Sequence, residues 1–406
     1  MQVAQTRRTL SAALVLTAAV LLGLTPFAST QASAQAAGTP SKLYIESNIT
    51  SANGNSVIGL QNDGTGKLTK LPGSPYLTNG VGVGAGNMTD AQWDADGELI
   101  MNAAGTLLWA VNGNSNTIST FSISATNGSL KLKGTPVASG GQQPAGLGLK
   151  ENVLSGGQGI MMVANKASDP LQPSGVAPNY MTFTEATDGL LTANKNSSYA
   201  MPVGSSIAQV VPRRGSATQF FGIEFHNNTV STYSSSKLGI LTNLGSVSNP
   251  TPTPLLGAII HPTAQYLYVG EPGPSDRLAV LHWNSAGVLS FITDVFAPGS
   301  AICWGAINAA GTRLYTSQTP ASEVTVYDVS RPASPVLLQS FFVSGVGALP
   351  AHMALDPSNS FLYVVDRLGS VHVLPIDSNG MVSEPNAPFS LGVPAGTVPL
   401  GVIVKP

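Results

Sequence analysis

The chain has 406 residues, of which 43% are hydrophobic and only 9% charged, with a formal net charge of −2. That much apolar content can fill a core, so the low charge does not signal disorder. A near-neutral balance without any basic run excludes an electrostatic nucleic-acid footprint.

The N-terminal segment stands apart from the rest. Arg7 and Arg8 precede an uncharged apolar stretch at 10–24, and Ala32-Ser33-Ala34 follows as an A-x-A cleavage site. This is the anatomy of a secretory signal peptide over residues 1–34. The apolar stretch is shorter than the ~20 residues that cross a bilayer, so no span is expected in the mature chain. The Arg7-Arg8 pair leaves the route open between general secretory and twin-arginine export. Residues 35–41 read as a linker, and the mature protein is expected to be periplasmic or secreted.

From residue 42 to 406 a short apolar-aromatic run recurs seven times and ends each time in a polar residue. The runs centre on Tyr44, Trp109, Met162, Phe221, Tyr268, Tyr315 and Tyr363. The later ones recur roughly every 47 residues, the period of a four-stranded propeller blade. The clearest unit predicts an inner strand at 351–355, a turn at 356–360, a second strand at 361–365 and a third at 370–376. A further turn at 377–380 leads toward an outer strand. Units at 304–315, 257–268 and 98–109 repeat this frame. Asp356, Asn308, His261 and Asn102 share its turn position, where each is expected to bond its own turn backbone. The earlier units are spaced more widely, so long loops are expected at 80–86 and 168–178. Cys303, the single cysteine, sits between Ile302 and Trp304 and reads as a small buried hydrophobe.

The ends of this region complement each other. Residues 42–45 read as a second strand with no inner strand before them, and 399–404 read as an inner strand with no blade after them. The expected fold is therefore all-β: a seven-bladed β-propeller closed by the C-terminal strand joining the first blade, which leaves no open edge at the closure. A monomer is expected.

Aligning the units yields two rings of candidate positions. Three residues beyond each run centre stand Ser47, Asn112, Asn165, Glu224, Glu271, Gln318 and Asp366. They are read either as strand-ending residues that bond turn backbone or, for the three carboxylates, as ligand contacts. The innermost strands contribute Gly401, Glu98, Gly146, Ile207, Gly257, Trp304 and His352. Glu98 and His352 come from blades flanking the composite first blade. They read either as channel-water contacts or as a general acid/base pair. No cofactor is expected. The alternative is Ca²⁺ or Mg²⁺ on the hard oxygen donors of the outer ring. No His/Cys spacing suits zinc, and no strand-to-helix G-x-S-x-G elbow offers a nucleophilic serine.

The segment PAHMALDPSNSFLYVVD at 350–366, with Asn127-Gly128-Ser129-Leu130 and Ala286-Gly287-Val288-Leu289, resembles the lactonase-family seven-bladed propellers, the 6-phosphogluconolactonase-like group. The resemblance covers essentially the whole mature chain. It implies an exported hydrolase opening a sugar or related lactone at the channel mouth. The family's inner-strand Pro-Arg-His motif corresponds to Pro350-Ala351-His352, with Ala in place of Arg, and its second-strand Glu corresponds to Glu224. On this reading Glu98, His352 and Glu224 are catalytic. Trp304, which would stack on a sugar ring, and Arg367, which would stabilise charge, join Asp366, Glu271, Asn112 and Asn165 in binding substrate. The partner is a small-molecule lactone or glycan. The competing class is a non-catalytic secreted propeller that binds a glycan, peptide or surface partner.

Overall fold

A computed structural model of the chain describes residues 38–83, 97–167, 175–250, 253–273 and 275–405. The expected signal peptide, positions 84–86 of the glycine-rich loop and positions 168–174 of the second long loop lie outside the described residues.

Strand character follows from what covers each strand. A second strand such as Phe361–Asp366 is buried along its whole length, because neighbouring blades pack on both of its faces. It therefore reads as a continuous apolar run rather than an alternating one. An outer strand such as Val336–Phe342 is mostly exposed. Between inner and second strands, Asx turns recur. The Asn102 Oδ1 accepts from the amides of Thr106 (2.8 Å) and Leu107 (2.9 Å). Asn308 accepts from Thr312 and Arg313, and Asp356 from Ser360 and Phe361, in the same way. His261 uses Nδ1 for this role, accepting from Thr263 (3.2 Å) and Ala264 (2.9 Å).

Seven sheets result. Blade 2 runs Leu99–Met101, Leu107–Asn112, Thr117–Ile123, Leu130–Ala138 from the axis outward. Blades 3 to 7 start from the inner strands Pro144–Lys150, Ile207–Pro212, Leu256–Ile260, Ile302–Ile307 and Pro350–Leu355. Blade 1 is composite: the C-terminal strand Leu400–Val404 pairs with Ser41–Glu46, matching Val404 to Leu43 and Ile403 to Tyr44. Each inner strand contacts the next, including Pro350–Leu355 with Leu400–Val404 and Leu400–Val404 with Leu99–Met101, so the ring is closed. The outer strand of blade 7 is only Phe389–Ser390, and so short an edge offers little to pair with another chain.

The repeated aromatic residues lock the seams between blades. Tyr44 Oη donates to the carbonyl of Gly128 (2.7 Å) and Trp109 Nε1 to that of Gly189 (2.8 Å), each in the following blade. Tyr268 reaches Pro332 and Tyr315 reaches Gly380, both at 3.0 Å. In blade 7 the Tyr363 hydroxyl meets Ser41 Oγ at 2.9 Å, which ties the last blade to the first. Met162 and Phe221 have no such donor. There, Thr182 and Thr232, their neighbours on the third strands, donate to Gly239 (2.7 Å) and Gly287 (2.8 Å) instead.

One register differs from expectation. Val211 pairs with Phe221 and Gln209 with Ile223, with a bulge after Ile207. Gln209, not Ile207, therefore holds the blade 4 position equivalent to His352. Blade 7 has the same bulge, but the turn between the inner and second strands is one residue longer in blade 4 than in blade 7, where Ala354 pairs with Tyr363.

Candidate functional site

Irregular pairing recurs where the inner strands meet the axis. Register shifts fall between Ile302 and Gly305 and between Pro350 and Met353, which frees Trp304 and His352 from regular strand geometry. Bulges of this kind re-aim side chains next to functional sites. In blade 1 the equivalent residue, Gly401, has φ +61°, a conformation that only glycine adopts without strain. A Cβ there would only reach van der Waals contact with Glu98, 3.5 Å from its Oε2, so the backbone conformation and not space is what calls for glycine.

Four of the nominated residues come together. His352 Nε2 lies 3.4 Å from Glu98 Oε2. The His352 ring packs on Trp304 with centroids 4.4 Å apart, and the Arg367 guanidinium covers the Trp304 ring at 4.7 Å. The contact chain Glu98–His352–Trp304–Arg367 thus crosses from blade 2 through blades 7 and 6. All four are buried, with Glu98 3%, His352 2%, Trp304 1% and Arg367 7% exposed. Trp304 is enclosed by His352 and Arg367, so its indole serves as the spacer between them. Arg367 also lines a cavity of 370 Å³ with Phe225, Leu256, Cys303, Thr319 and Pro320. A larger groove of 510 Å³ lies far from this chemistry, between Lys67 of blade 1 and Phe389 of blade 7.

The other nominated residues end their second strands as expected, on separate blades, and several are met by partners from the preceding blade. The Glu224 carboxylate takes hydrogen bonds from Tyr233 Oη (3.0 Å), Ser231 Oγ (3.0 Å), Tyr180 Oη (3.3 Å) and Thr229 Oγ1. Burial pushes its carboxyl up, and the four hydroxyls pull against that. Asn112 accepts from Thr78 Oγ1 (2.6 Å) and Asn55 Nδ2 (3.0 Å) and donates to Ser119 Oγ (2.9 Å). Asn165 Nδ2 donates to the Ser139 carbonyl (3.1 Å). Burial raises Glu271 to about 7, with Asn249 and Arg277 opposing and Asp294 adding to the rise. Burial alone would raise Asp366, but His372 and the amides of Leu368 (2.8 Å) and Leu349 (3.1 Å) hold it below the usual carboxylate range.

Sequence reasoning passed over two features here. Lys166, directly after Asn165, is fully buried, with its Nζ 5.3 Å from the Phe225 ring centre. Its presence in so charge-poor a chain was the available signal. His372 lies between Glu384 (2.6 Å) and Asp366 (3.5 Å). Nothing in the local pattern distinguished it from a strand residue.

Among the described residues, no group of three or more His, Cys, Asp or Glu side chains is placed to hold a metal ion. The oxygen donors nominated for Ca²⁺ or Mg²⁺ are distributed over separate blades. They do not fit a single ion, which needs several ligands at ~2.0–2.6 Å.

No family model matches the chain, and no curated protein matches it. Solved structures do. A protein from Lactobacillus plantarum superposes with a TM-score of 0.70 at 16% identity, covering 90% of this chain and 99% of that one. A candidate 6-phosphogluconolactonase of Bacteroides fragilis gives 0.69 at 15% identity, covering 90% and 98%. The periplasmic gluconolactonase of Pseudomonas aeruginosa gives 0.68 at 14% identity, covering 89% and 99%. In fold, the protein is a seven-bladed β-propeller similar to these structures.

Proposed function

We propose that this protein is a lactonase-like hydrolase that opens a sugar or related lactone at the mouth of the propeller channel. The observation that carries this reading is the 3.4 Å approach of Glu98 and His352 from blades 2 and 7. A carboxylate that orients an imidazole is a general-base arrangement. His352 would take a proton from water as the water oxygen bonds to the lactone carbonyl carbon. The same proton then passes to the ring oxygen as the acyl C–O bond breaks. A hydroxy acid results, one water consumed per ring opened. Arg367, set off from His352 by the Trp304 indole, would add positive potential to the site rather than touch the carbonyl oxygen. On this reading Glu224, held by four hydroxyls, secures the seam between blades 3 and 4.

The test is lactone hydrolysis by the wild type, Glu98→Gln and His352→Ala. Loss of the base should lower kcat about 10²-fold or more. Equal rates in all three proteins would remove the assignment.

Deep burial of the pair, at 3% and 2% exposure, favours a second reading, a non-catalytic propeller that binds a glycan, peptide or surface partner. No turnover on any lactone, together with a saturable glycan or protein partner, would select it. The leader at 1–34 supports export to the periplasm or beyond. Among the described residues no helix is long and apolar enough to cross a membrane. Fractionation of cells expressing the full chain, with and without residues 1–34, tests export.

A further inference from the structure

The 370 Å³ cavity beside Arg367 has an unusual lining for a sugar site. Its walls are Phe225, Pro254, Leu256, Pro272, Ala301 and Pro320. Of its uncharged polar side chains, Ser300 is exposed at the rim, and the two buried ones are engaged elsewhere. Thr319 Oγ1 donates to the Pro350 carbonyl (2.6 Å), and Cys303 Sγ donates to the Ala301 carbonyl (2.8 Å). Asp276, behind the wall, accepts from the amides of Gly273 (2.7 Å) and Ile302 (3.3 Å). Glu224, next to Phe225 in the chain, is enclosed by the four hydroxyls named above. Among the described residues, Arg367 is the only charged one on the surface of this cavity, and the buried Lys166 lies behind Phe225, its Nζ 5.3 Å from the ring centre.

A polyhydroxylated ligand entering such a cavity would leave several hydroxyls without partners, and each unmade buried hydrogen bond costs about 1–3 kcal/mol. An apolar body would lose nothing, and its burial against Phe225 and the prolines is favourable. A carboxylate would meet the guanidinium, the side chain best shaped to pair with it.

We propose that this cavity binds a small organic monoanion with an apolar body, the chemical class of an opened alkyl- or aryl-substituted lactone. The link to a lactone product rests on the hydrolase reading, whereas the binding preference rests on the cavity alone.

Equilibrium binding tests it without requiring turnover. Hexanoate, its neutral counterpart hexanol and the polyhydroxylated gluconate are titrated into the purified protein by calorimetry and followed by tryptophan fluorescence. Hexanoate should bind about tenfold or more tighter than either of the others. Arg367→Gln should weaken hexanoate by about tenfold and leave hexanol unchanged. Ser300→Phe, at an exposed position on the cavity rim, provides a variant that does not disturb the core. It should weaken hexanoate by partly filling the space. Gluconate binding as tightly as hexanoate, or hexanoate indifferent to both substitutions, overturns the proposal. Selective hexanoate binding without hydrolysis of any lactone would leave it standing and remove the hydrolase reading. Lactone hydrolysis without selective binding would do the reverse.

Discussion

His372 is fully buried on the third strand of blade 7, yet its imidazole is held in the charged form. Burial works against the charge, but the hydrogen bonds to Asp366 and Glu384 outweigh it and raise the pKa to about 9. Glu384 in turn accepts from the Ser344 amide (2.6 Å), so the cluster joins blade 7 to the connection from blade 6. The folded value lies above the unfolded one of about 6.5. The stability this histidine contributes is therefore fully present below that pH and lost as pH rises through about 9. Its size is about 3 kcal/mol. Asp366 and Glu384 are depressed, so their contribution is present above their unfolded values and lost as pH falls through the folded ones. Stability should accordingly plateau between these limits. His372→Gln should flatten the fall in unfolding free energy between neutral pH and pH 10. An unchanged pH profile in denaturant titrations of the variant would refute this account.

At the scale of the element, the repeat consists of a strand and the lock it carries to the next blade. Tyr315→Phe removes one hydroxyl donor at the seam between blades 6 and 7, and Thr232→Val removes the substitute donor between blades 4 and 5. Each leaves a buried glycine carbonyl without that bond, which should cost about 1–2 kcal/mol. The two should be additive, because distant sites share no partners. Chemical denaturation of both single variants and the double variant measures this. A neutral Thr232→Val would show that the threonine does not replace the missing tyrosine. Strand existence and order were legible in the chain because run, turn and glycine repeat with fixed spacing. Blade 4 departs from expectation at Ile207 because its inner hairpin turn is one residue longer than that of blade 7, and local pattern does not reveal a single extra residue in a turn.

Across the whole molecule, stability depends on closure, because the first blade has its inner strand only when the chain's end returns to it. Removing residues 399–406 strips Leu400–Val404 from Ser41–Glu46 and exposes an open strand edge. Such edges template association. The truncated protein should elute as large aggregates and lose its cooperative melt. A monomer with the wild-type Tm would refute the closure argument.

The candidate site divides along the same line. Glu98 and His352 were visible in the sequence as the ionisable exceptions among inner-strand positions, because a blade repeat puts equivalent residues on one axis. Their partnership with Trp304 and Arg367 depended on ring geometry, since four residues distant in the chain touch only when the blades converge. Local pattern showed that Glu224, Asn112, Asn165 and Asp366 end strands, because strand ends recur with the period. Only the folded protein decided that their polar groups face the seams, where the hydroxyls and amides that meet them come from other strands and blades.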